Sequence, residues 1–274
     1  MGDIRLKNLT SLDELKQVQE LEEAVWGMPP IPVHQTLTAI KNGGVMIGAL
    51  DGERLVGFNY GFPGFKNGEH YLCSHMMGIH KDYRKRGIGY ALKMKQMEEA
   101  RRLGYSIITW TFDPLESVNG YLNLTKLRGI AASFIENLYG DLDDDLNAGL
   151  ETDRFQVEWR INSDYVRHSP ELAIGDLHRV IDIKTDHRRL PKLSDFHLET
   201  LPQISEEEGW LVPIPSTFQE LKKKDVSLAR DWRKKTRQIF QHLMSEGFVG
   251  VKVLREKDAV ISDYVFVKRS LLRL

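Results

Sequence analysis

Cysteine is almost absent: Cys73 is the only one among 274 residues. That excludes an internal disulfide framework and any metal site built on several thiolates. Charge of one sign is not in excess either, because 38 lysines and arginines face 39 aspartates and glutamates. A polyanion would therefore have to be met by a local patch. No run of about 18 uncharged apolar residues is present to cross a membrane, and residues 1–10 mix charged and apolar side chains without the apolar segment of an export signal. A reducing cytoplasm is the expected location. The nine histidines form no HExxH pair. The acidic run 141–145 lacks the glycine and closing glutamate of an EF-hand loop, so no metal is expected.

What remains is an ordinary folded composition, 41% apolar and 28% charged, with ample material for a core. Residues 4–6 read as a short strand, and Ser11 with Glu14 has capping-box spacing at the head of a helix to Trp26. Pro29, Pro30 and Pro32 stop that helix, which predicts a loop with a helical turn or two. Asp51-Gly52 between the apolar runs 45–50 and 55–60 predicts an antiparallel hairpin. Asn67-Gly68 is a second turn, followed by a long apolar strand over 70–80. A helix beginning near Gly87 shows Tyr90, Met94 and Met97 on one face and Lys95, Glu98, Glu99 and Arg102 on the other. Gly104 ends it, and residues 106–112 read as the next strand, which completes a βαβ unit.

Further on, a helix is expected over 118–127, an apolar segment over 130–138 and a strand over 155–161. From Asn162 the composition turns polar and charged, which places a domain boundary near residue 165. Residues 185–205 have loop character. A strand at 210–214, a helical region ending near Gly247 and two closing strands, 248–254 and 259–267, finish the chain. The fold class is α+β, a mixed α/β sheet over residues 1–165 with an α/β extension over 166–274.

The segment Arg84-Lys85-Arg86-Gly87-Ile88-Gly89 stands between a strand and a helix. A phosphate group needs several donors aimed at one point, and a helix amino end offers unpaired backbone N–H groups and a favourable dipole. Gly87 and Gly89 let the ligand approach the backbone, while the three basic residues add charge beside it. A phosphate-bearing cofactor is implied. The spacing alone is weak; its strand, turn, helix and strand context strengthens it.

Gly78-Ile79-His80-Lys81-Asp82-Tyr83 running into Arg84–Gly89 resembles motif A of the GNAT superfamily of acyl-CoA N-acyltransferases, and the order of elements over 1–165 is similar to the GNAT fold. Ser74-His75-Met76, Trp110-Thr111-Phe112-Asp113-Pro114-Leu115 and Thr152-Asp153-Arg154 resemble a bacterial subfamily of about this length known as predicted acetyltransferases. The resemblance implies that the amides of Arg86 to Tyr90 bind the pyrophosphate of acetyl-CoA or another acyl-CoA. It also implies that Ile79 pairs with the pantetheine arm, that the strands ending near Ile79 and Trp110 splay to admit the thioester, and that Asn119 holds the pantetheine.

Acyl transfer to an amine asks for a base and an acid. His75 is the candidate base, since it lies in the strand lining the cleft and shares alternation parity with Ile79; the plain alternative is a hydrogen-bonded core histidine. In the family pattern a tyrosine protonates the thiolate, but here Asn123 or Leu124 falls at that position. Tyr121 and Tyr139 are the substitutes, each also readable as a packed core tyrosine. Cys73, inside an apolar strand, reads as a buried inert thiol. Arg154 and Arg160 flank a strand that edges the cleft in this fold and suit a carboxylate. A small amine such as an amino acid is the expected acceptor, and the subfamily resemblance extends the donors to succinyl-CoA. No nucleic-acid or membrane partner is expected, and a homodimer stays open. The rival readings are a non-catalytic GNAT-like module that binds or senses acyl-CoA, and a nucleic-acid binder using Arg84–Arg86 with Arg101-Arg102.

Overall fold

The computed structural model describes residues 4–140, 149–168, 170–172, 174–201 and 203–274. Its α+β chain divides into two compact units, Met1–Trp110 with Arg160–Asn162, and Thr111–Trp159 with Ser163–Leu274. The division does not follow the compositional break near residue 165: the described residues between Thr111 and Trp159 group with the C-terminal part of the chain.

In the first unit the order is β1 (Ile4–Asn8), α1 (Leu12–Trp26), α2 (Val33–Lys41), β2 (Val45–Asp51), β3 (Arg54–Lys66), β4 (Glu69–Ile79), α3 (Ile88–Arg102) and β5 (Ile107–Phe112), whose last two residues belong to the second unit. The strands lie in the order β1-β2-β3-β4-β5, with β4 and β5 parallel and the rest antiparallel. Local chemistry explains the boundaries. Ser11 Oγ accepts from Glu14 N at 3.3 Å while the Glu14 carboxylate accepts from Ser11 N at 2.9 Å, so the capping box forms as expected. Gly52, with φ 60, turns the β2–β3 hairpin. After the prolines the expected short helical segment forms as α2, nine residues with Pro32 as N-cap, about two and a half turns, since a proline's fixed φ suits a helix start as well as it stops one. Leu9, Leu15, Val18, Leu21, Met46, Phe58 and Tyr60 form the core on the α1 and α2 side.

The second unit carries α4 (Ser117–Gly120), which runs on as a π-helical stretch to Lys126, then β6 (Ile130–Ile135), β7 (Arg154–Arg160), α5 (Asp164–Arg167), β8 (Leu177–Arg179), β9 (Ile183–Thr185), β10 (Pro191–Leu193), β11 (Gly209–Pro215), α6 (Phe218–Lys224), α7 (Val226–Ser245), β12 (Phe248–Leu254) and β13 (Ile261–Lys268). Its strands run β7-β6-β12-β13-β11-β8. Phe155, Phe240, Tyr264 and Phe266 meet at ring-centre distances of 4.7 to 6.2 Å, and the offset and edge-on geometries suit their quadrupoles. α7 contributes Arg233, which donates to both oxygens of Asp113 at 2.7 and 2.5 Å, and Arg237, which donates to both oxygens of Asp153 at 2.9 Å. The aspartates of the two sequence motifs Trp110–Leu115 and Thr152–Arg154 thus anchor the C-terminal helix.

Candidate functional site

β4 ends at Ile79, a short 3-10 turn covers Lys81–Tyr83, and α3 opens at Ile88. Gly87 is its N-cap with φ 78, a conformation glycine adopts without a Cβ penalty. A Cβ built there would meet nothing within 4 Å, so the space at the helix end is open. The first helical bond runs from Ala91 N to Gly87 O at 3.1 Å. The amides of Ile88, Gly89 and Tyr90 therefore lead the helix without acceptors in its own ladder. Together with Arg84, Lys85 and Arg86 they fit a pyrophosphate.

The basic side chains are positioned by the turn itself. Arg84 Nε donates to the Ile79 carbonyl at 3.2 Å. The Arg86 guanidinium lies 4.8 Å from the centre of the Tyr83 ring, whose hydroxyl donates to Asp51 at 2.8 Å. Lys85 takes φ 63 on the exposed outside of the turn, and Tyr90 is also exposed. Ile79 itself pairs with Gly57 of β3.

β4 and β5 are in register at Leu72–Ile108 and Cys73–Thr109. Among the described residues no pair joins them beyond that point, although β4 runs on to Ile79 and β5 to Phe112. The strands part as the resemblance implies. At the same place the β3–β4 ladder slips: Tyr60 pairs with Met76 and Gly61 with Ser74, which leaves His75 as the extra residue of a β-bulge. The parity argument linking His75 with Ile79 fails here, since one inserted residue reverses every side chain beyond it. Ser74 points under α3, whereas His75 faces α2.

There His75 lines a cavity of about 670 Å³ with Ile31, His34, Gln35, Thr38, Tyr60 and Phe62. Its ring lies 5.5 Å from Phe62 and 6.2 Å from Tyr60. His75 is itself exposed, but partial desolvation beside these rings lowers its pKa below the ordinary imidazole value, so the neutral form able to accept a proton prevails at neutral pH. Cys73 is half-buried, and burial pushes its thiol up, which keeps it protonated.

On the α3 side the sequence reading missed a residue. α3 buries Ile88, Leu92, Lys93, Gln96, Met97, Glu99 and Ala100, whereas Tyr90 is exposed, so Glu99 and Tyr90 both depart from the expected faces. Lys93 Nζ donates to Ser74 Oγ at 2.8 Å, and Ser74 Oγ donates to Asn59 Oδ1 at 3.4 Å. Gln96 also donates to Asn59. The available signal was the spacing: Lys93 stands four residues before Met97 and seven before Ala100, inside the apolar stripe.

Of the remaining candidates, Asn119, Tyr121, Tyr139 and Arg154 belong to the second unit and Arg160 to the first. Asn119 is exposed on α4 in the second unit. Tyr121, on the π-helical stretch, has the Lys126 amine 5.6 Å from its ring centre. Tyr139 is half-exposed and shares a 3.0 Å hydrogen bond with Thr111 Oγ1. Arg154 is buried, donates to the Asp153 carbonyl at 2.9 Å and lies 3.9 Å from Asp113. Arg160 belongs to the first unit and approaches Glu69 at 3.8 Å. Glu69 opens β4, six residues before His75, which is roughly 20 Å of strand, so Arg160 stands away from the splay. Asn123 and Leu124, at the family tyrosine's position, are both buried.

Among the described residues no group of His, Cys, Asp or Glu could hold a metal ion, and no helix is long and apolar enough to cross a membrane. The acidic run 141–145 lies outside the described residues.

Residues 11–121 match the Acetyltransferase (GNAT) family. That segment is 111 of the 274 residues, and over it the chain is similar to that family. The match takes in the turn, α3, the splay and the bulge. No curated protein matches the sequence significantly. Similar solved structures include the ribosomal-protein-S18-alanine N-acetyltransferase of Escherichia coli, 14% identical over 58% of this chain and 94% of that one with a TM-score of 0.45. An N-acetyltransferase from Staphylococcus aureus Mu50 is 15% identical over 59% and 100%, at 0.48. The Salmonella typhimurium protein yncA, solved with its cofactor acetyl-CoA, is 12% identical over 58% and 94%, at 0.47. Likenesses at this level carry no functional argument, and the assignment rests on the family match.

Proposed function

We propose that the chain is an N-acyltransferase that moves an acetyl or other short acyl group from coenzyme A to the amine of a small substrate. The observation that carries this reading is the open, glycine-capped amino end of α3, which stands directly after the strand that parts from β5. A pyrophosphate held by the amides of Ile88, Gly89 and Tyr90 would leave the pantetheine arm to follow the edge of β4.

The acceptor is assigned to the cavity beside α2, whose volume suits a small molecule. His75 takes the proton of the attacking amine there. Tyr121 and Tyr139, the hydroxyls that the sequence offers for the leaving thiolate, belong to the second unit. An amino acid acceptor and a succinyl donor are the finer form of the proposal. Arg154 and Arg160, the expected holders of an acceptor carboxylate, are engaged with Asp153, Asp113 and Glu69.

The deciding experiment is a screen of acetyl-, succinyl- and other short acyl-CoA donors against a broad amine panel, read by free thiol release and by product mass. A product heavier than its amine by one acyl group supports the reading and names donor and acceptor together. Binding of coenzyme A without turnover of any amine would favour the sensor reading, to which the buried Asn123 and Leu124 lend support.

A further inference from the structure

α3 carries Lys93 into the interior of the first unit, where 3% of it is exposed. Its Nζ lies 3.7 Å from the centre of the Trp110 ring and bonds to the Ser74 hydroxyl. No ion pair to a carboxylate is made by Lys93 among the described residues. Lysine is rarely buried so deeply unless it is paired. Around it, Asn59 Nδ2 and Gln96 Oε1 are also buried without a hydrogen-bond partner. Buried polar atoms left without partners cost stability.

Its place is specific. Ser74 follows Cys73, the last β4 residue in register with β5, and Trp110 lies on β5 just beyond Thr109. The Lys93 amine is therefore held at the point where the two strands part, on the α3 side. His75, the next residue along β4, faces the cavity on the other side. Ser74, which holds Lys93, and His75 are thus neighbours on β4 whose side chains lie on opposite faces of the sheet.

We propose that Lys93 is the general acid of the transfer, giving a proton to the coenzyme A sulfur as the thioester breaks; this rests on the acyltransferase reading above. The acceptor nitrogen forms its bond to the acyl carbon, and the carbon–sulfur bond breaks with its electron pair on sulfur. Lys93 Nζ–H protonates that sulfur and is left as a neutral amine, which regains a proton from water after the products leave. The proton of the acceptor nitrogen passes to His75. Burial lowers the Lys93 pKa to about 7, against a smaller opposing effect of Cys73, so both protonation states are accessible where the reaction runs.

Of the groups facing Lys93, Cys73 on β4 is titratable, whereas Asn59 on β3, Trp110 on β5 and Gln96 on α3 are uncharged. The charged residues of the neighbouring elements have other partners: Asp51 accepts from Tyr83, Lys7 pairs with Glu14, and Glu99 pairs with Lys95 and Arg102.

The test is Lys93→Met, which keeps an unbranched side chain shorter only by the terminal ammonium and removes the transferable proton. With the donor and amine returned by the screen, kcat should fall about 100-fold, while calorimetric affinity for acyl-CoA stays within about threefold. Wild-type kcat should decline as pH rises above about 7, and that decline should vanish in the variant. Lys93→Arg, which stays charged at all these pH values, should not restore the rate. A readout independent of turnover is stability against pH. Between about 7 and 10.5 the unfolded lysine still holds a proton that the folded one has released. Wild-type stability should therefore rise with pH across that window relative to Lys93→Met.

An active wild type whose Lys93→Met variant keeps kcat and its alkaline decline overturns the acid role. So does a loss of kcat matched by an equal loss of acyl-CoA affinity or of folding, which marks a structural lysine. A wild type that binds coenzyme A and turns over no amine overturns the acyltransferase reading itself, a separately visible outcome.

Discussion

Charge is buried in both units, but on different terms. In the second unit Arg233 and Arg237 each meet a carboxylate through two nitrogens, the geometry that best offsets desolvation. In the first unit Lys93 meets a hydroxyl and an indole ring. A matched buried pair is explained by the fold it holds together. An unmatched lysine is an expense that the fold alone does not recover, and it sits where the chemistry is proposed.

The largest expected effect breaks the matched side of this comparison. Arg233→Ala would leave Asp113 buried without its main partner, at a cost of about 3–5 kcal/mol, read by denaturant unfolding. Burial by itself raises the Asp113 pKa, but Arg233 outweighs it and holds the carboxyl below its ordinary value. A carboxyl shifted in that direction stabilises the fold above its unfolded pKa, near 3.9, and the contribution is lost as pH falls further. Lys93→Met should show no such loss. Equal destabilisation by the two substitutions would erase the distinction between the units.

Gly87→Glu acts on the binding side alone. The new side chain would enter open space at the amino end of α3, with negative charge where the pyrophosphate is proposed and with a strained positive φ. Coenzyme A affinity should drop about 100-fold, or about 2.7 kcal/mol, by calorimetric titration. Unchanged affinity in a folded variant would remove the basis of the assignment.

How far the sequence could be read follows from the same contrast. The capping box, the Asp51-Gly52 hairpin, the long strand β4 and the glycine turn each obey a local rule, and each forms where that rule puts it. The face of α3 is legible only from the spacing of its apolar residues, because Lys93 and Gln96 occupy positions that an apolar pattern reserves for the core. The bulge at His75 left no mark, since an extra residue in one strand shows only against the register of its neighbour. The compositional break near residue 165 misled about packing for a related reason: the partners of Asp113 and Asp153 are arginines more than 80 residues further along, and such pairing has no signature in local composition.

His75→Ala tests the cavity side of the opening, with an expected loss in kcat of about tenfold to 100-fold and little change in acyl-CoA affinity. Because the His75 pKa is lowered by partial desolvation, the neutral form needed to accept a proton is present at pH 7 and is lost as pH falls below that lowered value. The wild-type rate should decline on the acid side, and the variant should lack that decline. An acid limb that persists in His75→Ala would assign it to another group. Together with the alkaline limb attributed to Lys93, the pH profile separates the two faces of β4.

The smallest effect belongs to Ser11→Ala. It removes one side-chain acceptor from the exposed amino end of α1 and half of the capping box, which should cost about 1 kcal/mol. α1 packs on the cavity side of the sheet through Leu15, Val18 and Leu21, while the glycine turn that would hold coenzyme A is built from β4 and α3. Thermal unfolding should therefore shift by a few degrees with coenzyme A affinity unaltered. A comparable loss of affinity would show that the α1 side and the pyrophosphate turn are coupled, and would undo the division of labour between the two faces of β4.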